Sequence, residues 1–77
     1  EYNLSHIKTY PIPFKNELKV DINKDQLQNL SLIDTSGKVV MSKNSTNTID
    51  TSVLSKGIYI LVLKTKTSIS SQKIIKL

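Results

Sequence analysis

A chain of 77 residues has room for one domain, and at this size folding buries only about 60% of the surface the unfolded chain exposes. It has no Cys, which excludes disulfides and thiolate metal sites as supports for so small a core. Its 11 basic residues, all Lys and none Arg, outnumber 6 acidic ones for a net charge of +5. They are spread along the chain and lack the bidentate fork that reads phosphate and guanine. This argues against a nucleic-acid partner and for solvated strand faces and guarded sheet edges.

Ala and Trp are absent as well, whereas Ser, Thr, Ile and Val abound. That vocabulary favours strands over helices, so an all-β domain is expected. No apolar run approaches the ~18 residues a spanning helix needs, so no insertion of this domain in a membrane is expected. A start at Glu1-Tyr2-Asn3 without Met reads as a piece of something longer.

Leu4 to Tyr10 is compatible with a first strand, with Leu4 or Ile7 facing inward. Pro11-Ile12-Pro13-Phe14 then interrupts it, because two prolines one residue apart cannot donate to a ladder and hold the chain extended. The segment predicts a bend between strands, with Phe14 plugging one end of the core. Glu17-Leu18-Lys19-Val20-Asp21-Ile22 alternates without error and predicts a strand burying Leu18, Val20 and Ile22.

Leu30 to Asp34 and Lys38 to Met41 flank Thr35-Ser36-Gly37, a short-hairpin signal because Gly37 tolerates positive φ. Asn44 to Thr48 is polar and turn-like, and Thr48 to Asp50 reads as a brief strand. Asp50 or Ser52 is then placed to cap a single helical or 3₁₀ turn that Gly57 ends in a left-handed conformation.

Ile58 to Leu63 is apolar at every position, which a half-solvated sheet does not explain. Either a neighbouring loop shields its second face, or another protein buries that face; both remain open. Thr65 to Ser68 makes a final turn and Ile69 to Leu77 a last strand. About seven short strands with turns every ~8 to 12 residues predict an immunoglobulin-like antiparallel β-sandwich. Leu54, Gly57 and Tyr59 also have the spacing of a tyrosine corner, in which the Tyr hydroxyl returns to the upstream backbone.

The inventory gives no support for catalysis. His6 is the only His, with no partner for a metal site. Asp21, Asp25, Asp34 and Asp50 sit at expected strand ends and turns, where Asp serves the backbone. Gly37 and Gly57 are the only glycines, too few for a phosphate-binding loop. The expectation is no enzyme, no cofactor and no metal. The sequons at Asn3, Asn29 and Asn44 follow by chance from abundant Asn, Ser and Thr.

Four segments taken together carry a family resemblance. Tyr10-Pro11-Ile12-Pro13-Phe14 is similar to a Tyr-Pro-Asn-Pro-Phe motif, with Ile12 where Asn is usual. Asp34-Thr35-Ser36-Gly37-Lys38 is similar to an Asp-x-x-Gly-Lys hairpin. Ile49 to Tyr59 agrees throughout with Ile-Asp-x-Ser-x-Leu-x-x-Gly-Ile-Tyr, and Lys73-Ile74-Ile75-Lys76 with a Lys-rich end, although Leu77 replaces a second terminal Lys. In that order they resemble the C-terminal sorting domain of type IX secretion cargo, also called the Por secretion system sorting domain, over residues 10–77. Residues 1–9 then read as a first strand or the end of a linker from an upstream cargo domain.

The resemblance implies a non-catalytic address. It implies recognition in the periplasm of a Gram-negative bacterium by shuttle proteins and the outer-membrane translocon, then removal by a sortase-like protease, with the cargo secreted or held at the cell surface. Recognition is expected to use the last hairpin, through Lys73, Ile74, Ile75, Lys76 and Leu77. An open terminal strand would be extended by a partner strand, with Lys73 and Lys76 selecting an acidic counterpart. Tyr10, Pro11, Pro13, Phe14, Asp34, Gly37, Lys38, Asp50, Leu54, Gly57 and Tyr59 are expected to hold the fold. The competing function is an accessory adhesion or carbohydrate-binding sandwich module, or a plain structural spacer, since fold alone does not fix function. The lack of Trp speaks against a sugar platform.

Overall fold

The computed structural model describes residues 8–11 and 13–77. Its strands are β1 (Thr9–Tyr10), β2 (Glu17–Val20), β3 (Leu27–Ile33), β4 (Val39–Asn44), β5 (Thr48–Asp50), β6 (Gly57–Thr65) and β7 (Ile69–Lys76), with one 3₁₀ turn at Lys24–Gln26. They form a three-stranded sheet in the order β1-β2-β5 and a four-stranded sheet in the order β4-β3-β6-β7. Every named pair is antiparallel. The arrangement is the expected immunoglobulin-like sandwich, and no described helix is long and apolar enough to cross a membrane.

Alternation decides which side chains lie between the sheets. Leu18 and Val20 of β2 and Ile49 of β5 meet Leu30 and Leu32 of β3, Tyr59, Leu61 and Leu63 of β6, and Ile74 of β7. Leu27 also points inward although its parity differs from that of Leu30. The register with β6 slips between Leu27 and Asn29, and such a bulge turns one extra residue to the other face. Among the described residues no buried side-chain polar atom lacks a hydrogen bond, as a marginally stable small core requires.

Turn chemistry closes the β3–β4 hairpin as expected. The Asp34 N–H donates to the Lys38 carbonyl at 2.9 Å, the Gly37 N–H donates to the Asp34 carbonyl at 3.0 Å, and Gly37 has φ 91°. At the β6–β7 turn Thr65 supplies what a Gly or Asn would have. Its hydroxyl accepts from the Ser68 N–H at 3.1 Å while its N–H donates to the Ser68 carbonyl at 2.9 Å.

Several expectations need correction. The strand beginning at Glu17 ends at Val20 rather than Ile22. The Ile22 N–H folds back on the Val20 carbonyl at 2.9 Å, yet Ile22 stays in the core. Segment 51–57 holds the expected single turn, capped by Asp50, but no α-helical one. The Leu54 N–H donates to the Thr51 carbonyl at 3.0 Å in one tight turn, and Gly57, at φ 145°, opens β6 instead of closing a helix. Asn44 belongs to β4, and the turn begins at Ser45, which has φ 52°. Leu4, Ile7, His6 and Ile12 lie outside the described residues.

Candidate functional site

The segment from Tyr10 to Phe14 carries the chain from one sheet to the other. Tyr10 pairs with Lys19 in the small sheet, the Tyr10–Pro11 peptide is cis, and Pro11 and Pro13 are exposed. Phe14 is the first residue after the prolines with an N–H to give. It donates to the Ile75 carbonyl at 3.0 Å, and the Phe14 carbonyl accepts from the Leu77 N–H at 2.8 Å. This parallel bridge to the end of β7 places the fully buried Phe14 ring 6.3 Å from the Tyr59 ring. Phe14 thus plugs this end of the core, as expected.

The stretch after β5 packs against the same corner. Thr51, fully buried, donates its N–H to the Asn16 carbonyl at 2.9 Å and its hydroxyl to the Lys15 carbonyl at 3.1 Å. Asp50 holds the turn from outside, its carboxylate accepting the Ser52 N–H at 3.0 Å and the Ser52 hydroxyl at 2.7 Å. The Tyr59 hydroxyl donates to the Ser55 carbonyl at 2.6 Å, which makes the predicted tyrosine corner. Across a cleft of about 420 Å³ from this loop stands the Asp34 hairpin; Asp34, Val40, Leu54, Gly57 and Tyr59 are among the lining residues.

One pole of the sandwich therefore gathers the Pro-rich segment, the Asp34 hairpin, the 49–59 loop and the last residues of β7. Tyr10 is the outlier, half exposed over the small sheet. The sequence reading missed Thr51 and the carbonyls of Lys15, Asn16 and Ser55. Backbone acceptors carry no residue signature, and a Thr between Asp50 and Ser52 looks like any turn residue.

The carboxylates of Asp34 and Asp50 are committed to turns. Asp34 Oδ1 accepts from the Ser36 hydroxyl, the Lys38 N–H and the Ser36 N–H, which together hold its pKa below the ordinary 3.8. The Ser52 N–H and then the Ser52 hydroxyl lower Asp50 in the same way. Hydrogen bonds to the charged form produce this shift.

The last strand divides by parity. Ile74 and Lys76 point between the sheets, and Lys76 is only 6% exposed, with Nζ donating to the Leu77 carbonyl at 3.4 Å. Lys73 and Ile75 point outward. Lys73 and Lys76, both expected to select an acidic counterpart, lie on opposite faces of β7, as the pleat dictates. The free edge of β7 is also shorter than expected, because Phe14 occupies the Ile75 carbonyl and the Leu77 N–H. Main-chain groups of the same parity at Ile69, Ser71 and Lys73 face away from β6, and no described strand pairs with them.

The family model of the secretion system C-terminal sorting domain matches residues 8–77. The chain belongs to that family. No individually curated protein matches it. As a type IX sorting domain the chain carries a secretion signal, interacts with the type IX machinery, and is associated with export to the cell surface or medium. Sorting domains are in general non-catalytic. The described residues of the motifs that suggested the resemblance, Tyr10 apart, lie at the sorting domain's pole.

Proposed function

We propose that this sorting domain is a folded, non-catalytic address whose last strand is gripped by the export apparatus. Upstream cargo passes with it through the periplasm of a Gram-negative bacterium and the outer-membrane translocon. A sortase-like protease then removes the domain, and the cargo is attached at the surface or released. The observation that carries this reading is the convergence of the family's segments on one pole, beside a β7 edge with which no described strand pairs from Ile69 to Lys73. In this reading a partner strand adds to that edge alongside Ile69 to Lys73. Ile74, Lys76 and Leu77 anchor the strand to Phe14 and the core. An adhesion or sugar-binding role gains nothing here: of the described aromatic residues only Tyr10 is exposed.

Deleting Lys73 to Leu77 is a poor test, because it removes buried Ile74 and both backbone bonds of Phe14 along with any recognition signal. The informative experiment fuses residues 1–77 to an inert periplasmic reporter and follows its arrival outside the cell with the type IX apparatus intact or disabled. A reporter that stays inside the intact strain refutes the address. Ser71→Pro tests the grip. It deletes one outward N–H on an edge strand, where Pro is tolerated, and export should fall while the melting temperature holds. Unchanged export of that variant rules out strand addition at β7.

A further inference from the structure

The outward face of the four-stranded sheet reaches beyond the family's segments, which contribute Ile58, Lys73 and Ile75 to it. Cross-strand register places Val39, Ile33 and Ile60 in one row with Lys73, and Ile58 beside Ile75 in the next, nearer the pole. Val62 follows on the other side of Ile60. No described element lies over them: Val39 is 54% exposed, and Ile58 and Ile75 are each 44% exposed. Away from the pole the face turns polar. There Asn29, Ser31, Ser42 and Asn44 hydrogen-bond among themselves.

Charge distinguishes the two sheets. The strands β3, β4, β6 and β7 contain Lys43, Lys64, Lys73 and Lys76 and not one carboxylate, whereas Glu17 and Asp50 sit in the small sheet. Lys64 and Lys73 project outward, flanking the apolar rows, and no described carboxylate pairs with either. An apolar centre with cations at its margin and no anion within it is complementary to an apolar ridge edged by carboxylates.

We infer that this face is a docking surface for a protein of the export route that presents apolar side chains bordered by Asp or Glu. The inference rests on the sorting-domain reading and adds to it the face, and the charge, by which the domain is recognised. Four strands ~4.8 Å apart and about six residues at ~3.3 Å give a face of roughly 400 Å². That is about half of what each partner contributes to a standard stable interface, near 800 Å². The contact is therefore of the transient kind, suited to a signal that is handed on and released.

The test uses the same reporter fusion with two charge-reversing pairs of equal net change. Lys64→Glu with Lys73→Glu alters the face; Lys8→Glu with Lys15→Glu alters exposed positions off it. Export by the first pair should fall at least tenfold, and by the second less than twofold. A third variant, Ile58→Thr with Ile60→Thr, keeps β-branched residues in β6 and should also lose at least tenfold while melting as a folded domain. Equal losses from the two charge pairs mean that only net charge matters, and export unaffected by the face variants means that the face is not read; either overturns the inference. A purified domain that sediments as a dimer, and as a monomer once Ile58 and Ile60 are replaced, assigns the face to a second copy and also overturns it. Failure of the unaltered fusion to leave the cell refutes instead the sorting reading on which the inference stands.

Discussion

Replacing Tyr59 by Phe deletes one oxygen and leaves the rest of the side chain in place. The ring remains buried and keeps its 6.3 Å neighbour Phe14, so the variant isolates the 2.6 Å hydrogen bond to the Ser55 carbonyl. Ser55 is exposed, and its carbonyl can turn to water, so the loss is the net value of an ordinary hydrogen bond, about 0.5–1.5 kcal/mol. For a domain of this size each kcal/mol moves the melting temperature by about 4–8 °C, which sets the expected drop near 5 °C. Thermal unfolding followed by circular dichroism measures it. Because that bond ties the 51–56 loop to β6, amide exchange should quicken at Leu54 and Ser55 and stay slow at Leu30 and Leu32. A melting temperature within about 1 °C of the parent, with unchanged exchange in the loop, would refute the claim that the corner holds the loop.

Phe14→Ala should cost about 3–5 kcal/mol, the usual loss for a buried ring. Set against the roughly 4–12 kcal/mol expected for 77 residues, urea denaturation should show a largely or wholly lost transition. Gly57→Ala meets no atom within 4 Å of the new Cβ, so its cost is the backbone at φ 145°, about 1–3 kcal/mol, read as a lower urea midpoint with an unchanged slope. Asp34 and Asp50 have folded pKa values below their ordinary 3.8. Their contribution is complete above that value and lost as pH falls through the lower folded values. Stability should therefore decline below about pH 4, and Asp34→Asn with Asp50→Asn should flatten that decline in urea titrations between pH 5 and 2.

Strands whose faces differ were legible from local pattern alone, because a period of two needs no knowledge of the partner. Leu18 and Val20, the Gly37 hairpin, the brief strand at Ile49 and the corner formed by Tyr59 were all of this kind. The 3₁₀ turn at Lys24–Gln26 escaped notice. Its capping contact, Asn23 Oδ1 accepting the Asp25 N–H at 2.9 Å, resembles that of any Asx turn. The continuous apolar run of β6 announced that two faces needed explaining, yet could not say whether the chain itself covers the outer one.

The order of residues by itself determined that this is a strand-built domain with turns at fixed places, and it carried the family's segments in sequence. Those are short-range facts, written in side-chain alternation and in the φ preferences of Pro, Gly and Asp. The tertiary structure alone decided that Phe14 closes the end of β7 and that Thr51 binds the carbonyls of Lys15 and Asn16. It also decided that Lys76 is turned inward while Lys73 is not, and that the carboxylates are kept off the strands of the larger sheet. Each of these depends on which distant strands become neighbours and in what register, and that is settled only when the two sheets bury a common core.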